Sequence, residues 1–112
     1  MGHSVYPASA SELKELINTR TASAVYFSTE RCTVCHSLLP KLEELFLENF
    51  PQILFIHIEM HKLPEAAAIY SVFNAPTLLV FFEGKESFRK SSNMGIKEVK
   101  DTLKRPYELL FS

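Results

Sequence analysis

The residues with the most reactive chemistry are Cys32 and Cys35, in the run Arg31-Cys32-Thr33-Val34-Cys35-His36. They are the only two cysteines of the 112-residue chain. A Cys-x-x-Cys spacing puts both sulfurs within one helical turn, close enough to close a small disulfide ring. A helix N-terminus stabilises negative charge on the first sulfur. The thiolate is the nucleophile, so a site that stabilises it creates reactivity. The spacing alone is equally that of half a metal site or of two buried apolar thiols. What favours exchange chemistry is the setting: a strand-like run, Ala24-Val25-Tyr26-Phe27-Ser28, lies before the pair, and a helix-like run ending near Phe50 lies after it.

Two other chemistries share these residues. Cys32-Thr33-Val34-Cys35-His36 matches the Cys-x-x-Cys-His signature of covalent c-type haem. That attachment takes place outside the cytosol, and Met1-Gly2-His3-Ser4 begins no basic stretch followed by an apolar run. Cys32, Cys35, His57 and His61 stand in zinc-finger order, but the 21 residues between Cys35 and His57 exceed the usual spacer. The expectation is therefore no metal and no cofactor. Gly2 invites a myristoylation reading, which Tyr6 opposes by standing where Ser or Thr is wanted.

Composition bounds the rest. At 46% apolar residues the chain can bury one ordinary core, so residues 1–112 are expected to form a single domain. Twelve basic and thirteen acidic residues leave a net charge of −1, which gives no support for nucleic-acid or membrane-surface partners. The longest apolar runs are five residues, far short of a membrane span. A cytoplasmic monomer is the expectation, and cysteines in such a chain are more often catalytic, redox-sensing or metal-binding than structural.

The elements that must position the pair alternate. Val5-Tyr6 is a candidate short strand. Ser9 and Glu12 make a capping box for a helix from about Ala10 to Asn18, whose apolar face is Leu13, Leu16 and Ile17. Thr21 to Ser28 is a buried strand. In the next helix Leu38, Leu39, Leu42, Leu45, Phe46 and Phe50 recur at threes and fours, and Pro40 should bend it. Ile53 to Ile58, apolar on both faces, has the pattern of a central strand covered by helices. Pro64 to Tyr70 is a short proline-opened helix. Thr77 to Phe82, the turn Glu83-Gly84-Lys85 and Glu86 to Ser91 make a hairpin. Ile96, Val99 and Leu103 line a last helix, interrupted at Pro106. The tail Tyr107-Glu108-Leu109-Leu110-Phe111 is expected to pack on the core as a final turn, the alternative being a contact surface for a partner. The order βαβαβ, hairpin, helix describes an α/β domain with a mixed sheet and helices on both faces.

At this point the residues carry a resemblance to the thioredoxin family. Cys32 to Cys35 is followed five residues on by Pro40, Ala75-Pro76-Thr77 opens a strand where the family has its cis-proline loop, and Gly84 occupies the family's hairpin turn. The resemblance spans nearly the whole chain. It implies a thioredoxin fold with a central mixed four-to-five-stranded sheet, a cis bond before Pro76, and a thiol–disulfide oxidoreductase site made by the two loops together. In that family the main chain of the residue before the proline, here Ala75, pairs with an extended substrate peptide. The implied partners are disulfide-containing proteins and a reductase or low-molecular-weight thiol. Cys32 attacks a substrate disulfide and Cys35 resolves the mixed disulfide, and the reverse direction is the same chemistry.

Departures from the family pattern fall around the pair. Thr33-Val34 replaces Gly-Pro, and the lost proline frees an amide expected to point at Cys32 and raise the potential. Arg31 replaces tryptophan and brings a cation near the thiolate, or is simply a solvated arginine. Tyr26 stands where the family buries an aspartate and is a candidate proton acceptor in its place, although a phenol is a poor base at neutral pH. His57 stands at the buried lysine and is a candidate acceptor for the Cys35 proton; the plainer reading is a satisfied core histidine bonded to Tyr26. His36 lies on the Cys32 face of the helix, either tuning the sulfur or exposed. Ser92 replaces a glycine beside the substrate groove and should narrow it. These losses also keep a non-catalytic reading in view, a binding module or redox sensor on the same scaffold.

Overall fold

The computed structural model describes residues 4–112; Gly2 and its myristoylation reading lie outside the described residues. Four helices and four strands alternate in the order α1 (Ala10–Thr19), β1 (Ala22–Ser28), α2 (Thr33–Asn49), β2 (Leu54–Glu59), α3 (Pro64–Ile69), β3 (Thr77–Phe82), β4 (Lys85–Ser91) and α4 (Ile96–Phe111). The sheet order is β2-β1-β3-β4. β1 runs parallel to β2, with Tyr26 beside His57, and antiparallel to β3. β3 and β4 form an antiparallel hairpin with a bulge at Val80/Phe81.

Every residue of β1 is buried, because alternate side chains enter two different cores. Ala22, Ala24 and Tyr26 face a layer with Phe55, Leu78, Val80, the apolar stripe of α2 and Val99 and Leu103 of α4. Val25 and Phe27 face the opposite layer with Leu13 and Ile17 of α1 and Ala66 and Ala67 of α3. Ser9 caps α1 as its spacing predicts, its hydroxyl accepting from the Glu12 amide at 3.1 Å.

Four sequence expectations change. The interior strands are β1 and β3, and β2 is an edge strand of the four; a strand apolar on both faces reports helices above and below it, not its place in the sheet order. Val5-Tyr6 contributes one parallel bridge to Ile56 instead of a strand, and Pro7, with no amide to donate, ends the pairing. The hairpin turn has two residues, Glu83 and Gly84, both at positive φ (54° and 80°), and Lys85 already belongs to β4. Finally, α4 runs through Pro106 to Phe111. The aromatic residues beyond the proline anchor it: Tyr107 meets Phe50 edge-on with centroids 5.0 Å apart, meets Phe111 at 4.8 Å, and its hydroxyl accepts from the Gln52 amide. The tail is thus a packed helical turn, with Leu109 left exposed.

Candidate active site

β1 delivers the chain from the buried centre of the sheet to its carboxyl end, where Ser28 gives way to a short loop and α2 begins. Cys32 is the N-cap of α2, extended at φ −91° and ψ 99°. The Cys32 amide donates to the Thr29 carbonyl and the His36 amide to the Cys32 carbonyl. The Cys35 amide donates to Cys32 Sγ at 3.1 Å. A sulfur at an N-cap thus receives one of the helix's orphan amides and the positive end of its dipole. Cys32 and Cys35 are joined as a disulfide, with Cα atoms 5.2 Å apart. Their surroundings differ: Cys32 is partly exposed, whereas Cys35 is 1% exposed and belongs to the core between the sheet and α2. An incoming sulfur meets Cys32 first.

The amide that reaches the sulfur is Cys35's, and none is recorded from Val34, the amide expected from the missing proline. Val34 is instead an exposed apolar side chain at the rim, and Thr33 is exposed beside it. Arg31 is exposed and makes no ion pair among the described residues, as a solvated arginine would. His36 is exposed too, and its Nε2 donates to the Glu30 carbonyl at 3.1 Å, so it secures the loop ahead of Cys32.

Beneath the pair lies Tyr26, fully buried, its hydroxyl donating to the Cys35 carbonyl at 2.8 Å. Burial drives its phenol pKa well above the usual value of 10, so it stays protonated and serves as a donor. His57 is not bonded to Tyr26: the rings are tilted with centroids 5.5 Å apart. Its Nε2 instead shares a 2.7 Å hydrogen bond with Ser28 Oγ, and its Nδ1 a 3.0 Å bond with the Tyr6 hydroxyl. Burial lowers the His57 pKa below 6.5, against the opposing pull of Glu59 and Glu43. Ser28 and Tyr6 were missed in the sequence because the contact spans 29 and 51 positions, and only strand pairing brings them together.

The second loop lies at the same end of the sheet, since Thr77 pairs with Phe27 near the end of β1. The Ala75–Pro76 bond is cis, and Ala75 and Cys32 pack against the same core cluster. Thr77 Oγ1 donates to the Asn74 carbonyl at 2.7 Å and accepts from Ser91 Oγ at 2.9 Å. The Ser92 amide donates to the Pro76 carbonyl at 2.8 Å. Ser92 sits at φ +66°, a backbone region glycine enters without strain. Phe73, just before the loop, is 77% exposed. Among the described residues no three His, Cys, Asp or Glu side chains gather as metal ligands, and Cys32, Cys35, His57 and His61 form no such group. No helix among the described residues is long and apolar enough to cross a membrane.

A reachable sulfur at a helix N-cap, backed by a sealed sulfur one turn on and flanked by a cis-proline loop, defines a thiol–disulfide exchange site. The comparisons give it a family. The profile described as thioredoxin matches residues 4–105. The "Thioredoxin-like protein YdfQ" of Bacillus subtilis is 36% identical over 97 residues, which cover 87% of this chain and 86% of that protein. A Fasciola hepatica thioredoxin structure aligns with TM-score 0.74 at 33% identity, covering 93% of this chain and 96% of that one. A mutant thioredoxin from Halobacterium salinarum shares the fold, with TM-score 0.80 at 22% identity over 94% and 90% of the two chains. The chain belongs to the thioredoxin family. It is a thiol–disulfide oxidoreductase whose redox centre is the Cys32/Cys35 pair.

Proposed function

We propose that the protein works as a reductant of protein disulfides. The single observation that carries the exchange chemistry is the asymmetry of the pair: Cys32 is partly exposed with an amide on its sulfur, and Cys35 is sealed behind it. Cys32 thiolate attacks one sulfur of a substrate disulfide, forming a mixed disulfide and releasing the other sulfur as a thiolate. Cys35 thiolate then attacks Cys32 Sγ, closing the Cys32–Cys35 bond and freeing the second substrate sulfur. The substrate gains the two electrons that the pair loses. A reductase or a low-molecular-weight thiol restores the dithiol.

The substrate segment binds extended, pairing with the main chain of Ala75, and Pro76 holds that edge beside Cys32. Val34 and Phe73 offer apolar contact on either side, Arg31 and Thr33 a polar margin, and Ser92 and His36 bound the groove and its loop. We place the protein as a monomer in the cytoplasm, where a reducing poise keeps such a pair reduced. The test is a glutathione redox titration of the pair combined with an insulin-type disulfide reduction assay on wild type and Cys35→Ser. A reversible two-electron couple, turnover by wild type and a trapped mixed disulfide in the variant are expected. Absence of exchange would transfer the assignment to a binding module on the thioredoxin scaffold.

A further inference from the structure

Resolution of the mixed disulfide requires Cys35 to lose a proton, yet Cys35 is 1% exposed. Besides Tyr26, four polar side chains are buried among the described residues: Ser23, Ser28, His57 and Thr77. Thr77 is occupied with Asn74 and Ser91. Ser23 faces away, three positions before Tyr26 on β1, at the strand's other end. The Tyr26 hydroxyl already donates to the Cys35 carbonyl. Ser28 and His57 remain. Ser28 lies two residues beyond Tyr26, so it points into the same layer as the side chain that touches Cys35. Its neighbour Thr29 receives the Cys32 amide.

From Ser28 outward the hydrogen bonds are continuous: Ser28 Oγ to His57 Nε2 at 2.7 Å, then His57 Nδ1 to the Tyr6 hydroxyl at 3.0 Å. Tyr6 is 55% exposed. It is held in place by the chain on either side of Ile56, since the Val5 amide donates to the Phe55 carbonyl and the His57 amide to the Val5 carbonyl, both at 2.9 Å. Ser4 adds a hydrogen bond to Glu43 of α2. Outside lies a cavity of about 440 Å³ lined by Tyr6, Pro7, Ala8, His57, Glu59, Lys62 and Leu63.

Resting on the oxidoreductase reading, we propose that Ser28, His57 and Tyr6 form a proton wire from the buried Cys35 thiol to solvent, Ser28 and Tyr6 relaying protons through their hydroxyls and His57 by switching tautomer. The Cys35 S–H bond breaks and its proton goes to Ser28 Oγ as the serine's own proton moves to Nε2. The Nδ1 proton moves to the Tyr6 oxygen, and the Tyr6 proton leaves to water. The Cys35 thiolate forms the bond to Cys32 Sγ, and the substrate sulfur departs with the electron pair of the bond that breaks.

A wire suits this site better than a simple base. Imidazolium is disfavoured by burial, and of the groups facing His57 from β2, α2 and the following loop, Glu59 and Glu43 oppose that effect while His36 and Lys62 reinforce it. A tautomer switch stores no charge on the ring.

The test separates the two steps by rapid quenching. Formation of the mixed disulfide is measured in a Cys35→Ser background and its resolution with Cys35 present. Tyr6→Phe keeps the ring and removes one hydroxyl, so it carries the test whether or not Ser28→Ala folds. Tyr6→Phe and Ser28→Ala are each expected to slow resolution about tenfold or more, the scale of one proton-transfer contribution, and to leave mixed-disulfide formation within twofold of wild type. Ser28→Thr should restore resolution, and added imidazole should rescue His57→Ala through the adjoining cavity. Resolution within twofold of wild type in Tyr6→Phe overturns the wire, even if His57→Gln is slow. A wild type that forms no mixed disulfide overturns instead the oxidoreductase reading beneath it.

Discussion

Replacing Tyr26 by phenylalanine separates what this residue does from what the family's buried acid does. Tyr26 is fully buried and its hydroxyl gives a 2.8 Å hydrogen bond to the Cys35 carbonyl. Phenylalanine keeps the ring, which packs against Phe55 with centroids 6.3 Å apart, so no ring-sized void opens. The Cys35 carbonyl lies inside α2 and keeps its intrahelical partner, so it is not orphaned. The loss is then one net hydrogen bond, about 1 kcal/mol, which for a domain of this size lowers the melting temperature by about 4 °C.

The phenol also has a pH signature. Its folded pKa is raised above the unfolded value of 10, so the unfolded chain releases the proton first. The stability it contributes is fully present below pH 10 and is lost as pH rises beyond it. Tyr26→Phe should therefore be slightly less stable at pH 7 yet unfold less steeply above pH 10. Urea and thermal unfolding of the oxidised protein from pH 7 to 11 measure both, alongside the activity profile between pH 5 and 9. A loss above about 3 kcal/mol at pH 7, or a moved inflection in the activity profile, would refute the view of Tyr26 as a neutral donor.

Other outcomes follow from the same geometry. His57 has a folded pKa below 6.5, so the unfolded chain binds the extra proton first and stability should fall as pH drops below about 6.5; His57→Gln should flatten that slope in urea titrations. Arg89 donates to the Tyr70 and Ser71 carbonyls and pairs with Glu86 at the surface; Arg89→Ala should cost about 1 kcal/mol and speed hydrogen exchange around residues 70–73. Ser92→Gly removes a left-handed strain of about 1 kcal/mol but adds chain entropy, so denaturant midpoints should rise only slightly while mixed-disulfide formation accelerates if the serine narrows the groove. Pro106→Ala returns an amide to the interior of α4 and should raise the unfolding free energy by about 1 kcal/mol or more.

The local pattern determined much of this protein. The Ser9-Glu12 cap, the threes and fours of α2, the strand Thr77 to Phe82 and the Cys-x-x-Cys at a strand-to-helix junction are all written in neighbouring residues, because caps, periodicity and the spacing of two sulfurs are properties of short segments. The family resemblance rested on the same segments. What the sequence left open depended on partners far along the chain. Which strands lie inside the sheet is a matter of pairing, and β1 is one of them only because β2 and β3 hydrogen-bond to its two sides. Pro106 signals an end to any helix read alone, but Tyr107 and Phe111 dock on the core and hold the helix past it. Most telling is His57. Its residue type allowed a base, a ligand or a core filler, and the family resemblance, which sets it near Tyr26, suggested a bond between them. Only the parallel bridge at Val5 and the pairing of Ser28 with Glu59 bring Tyr6 and Ser28 to its two nitrogens. A hydrogen bond acts over about 3 Å, and no local rule reaches across the 51 positions that the fold closes between Tyr6 and His57.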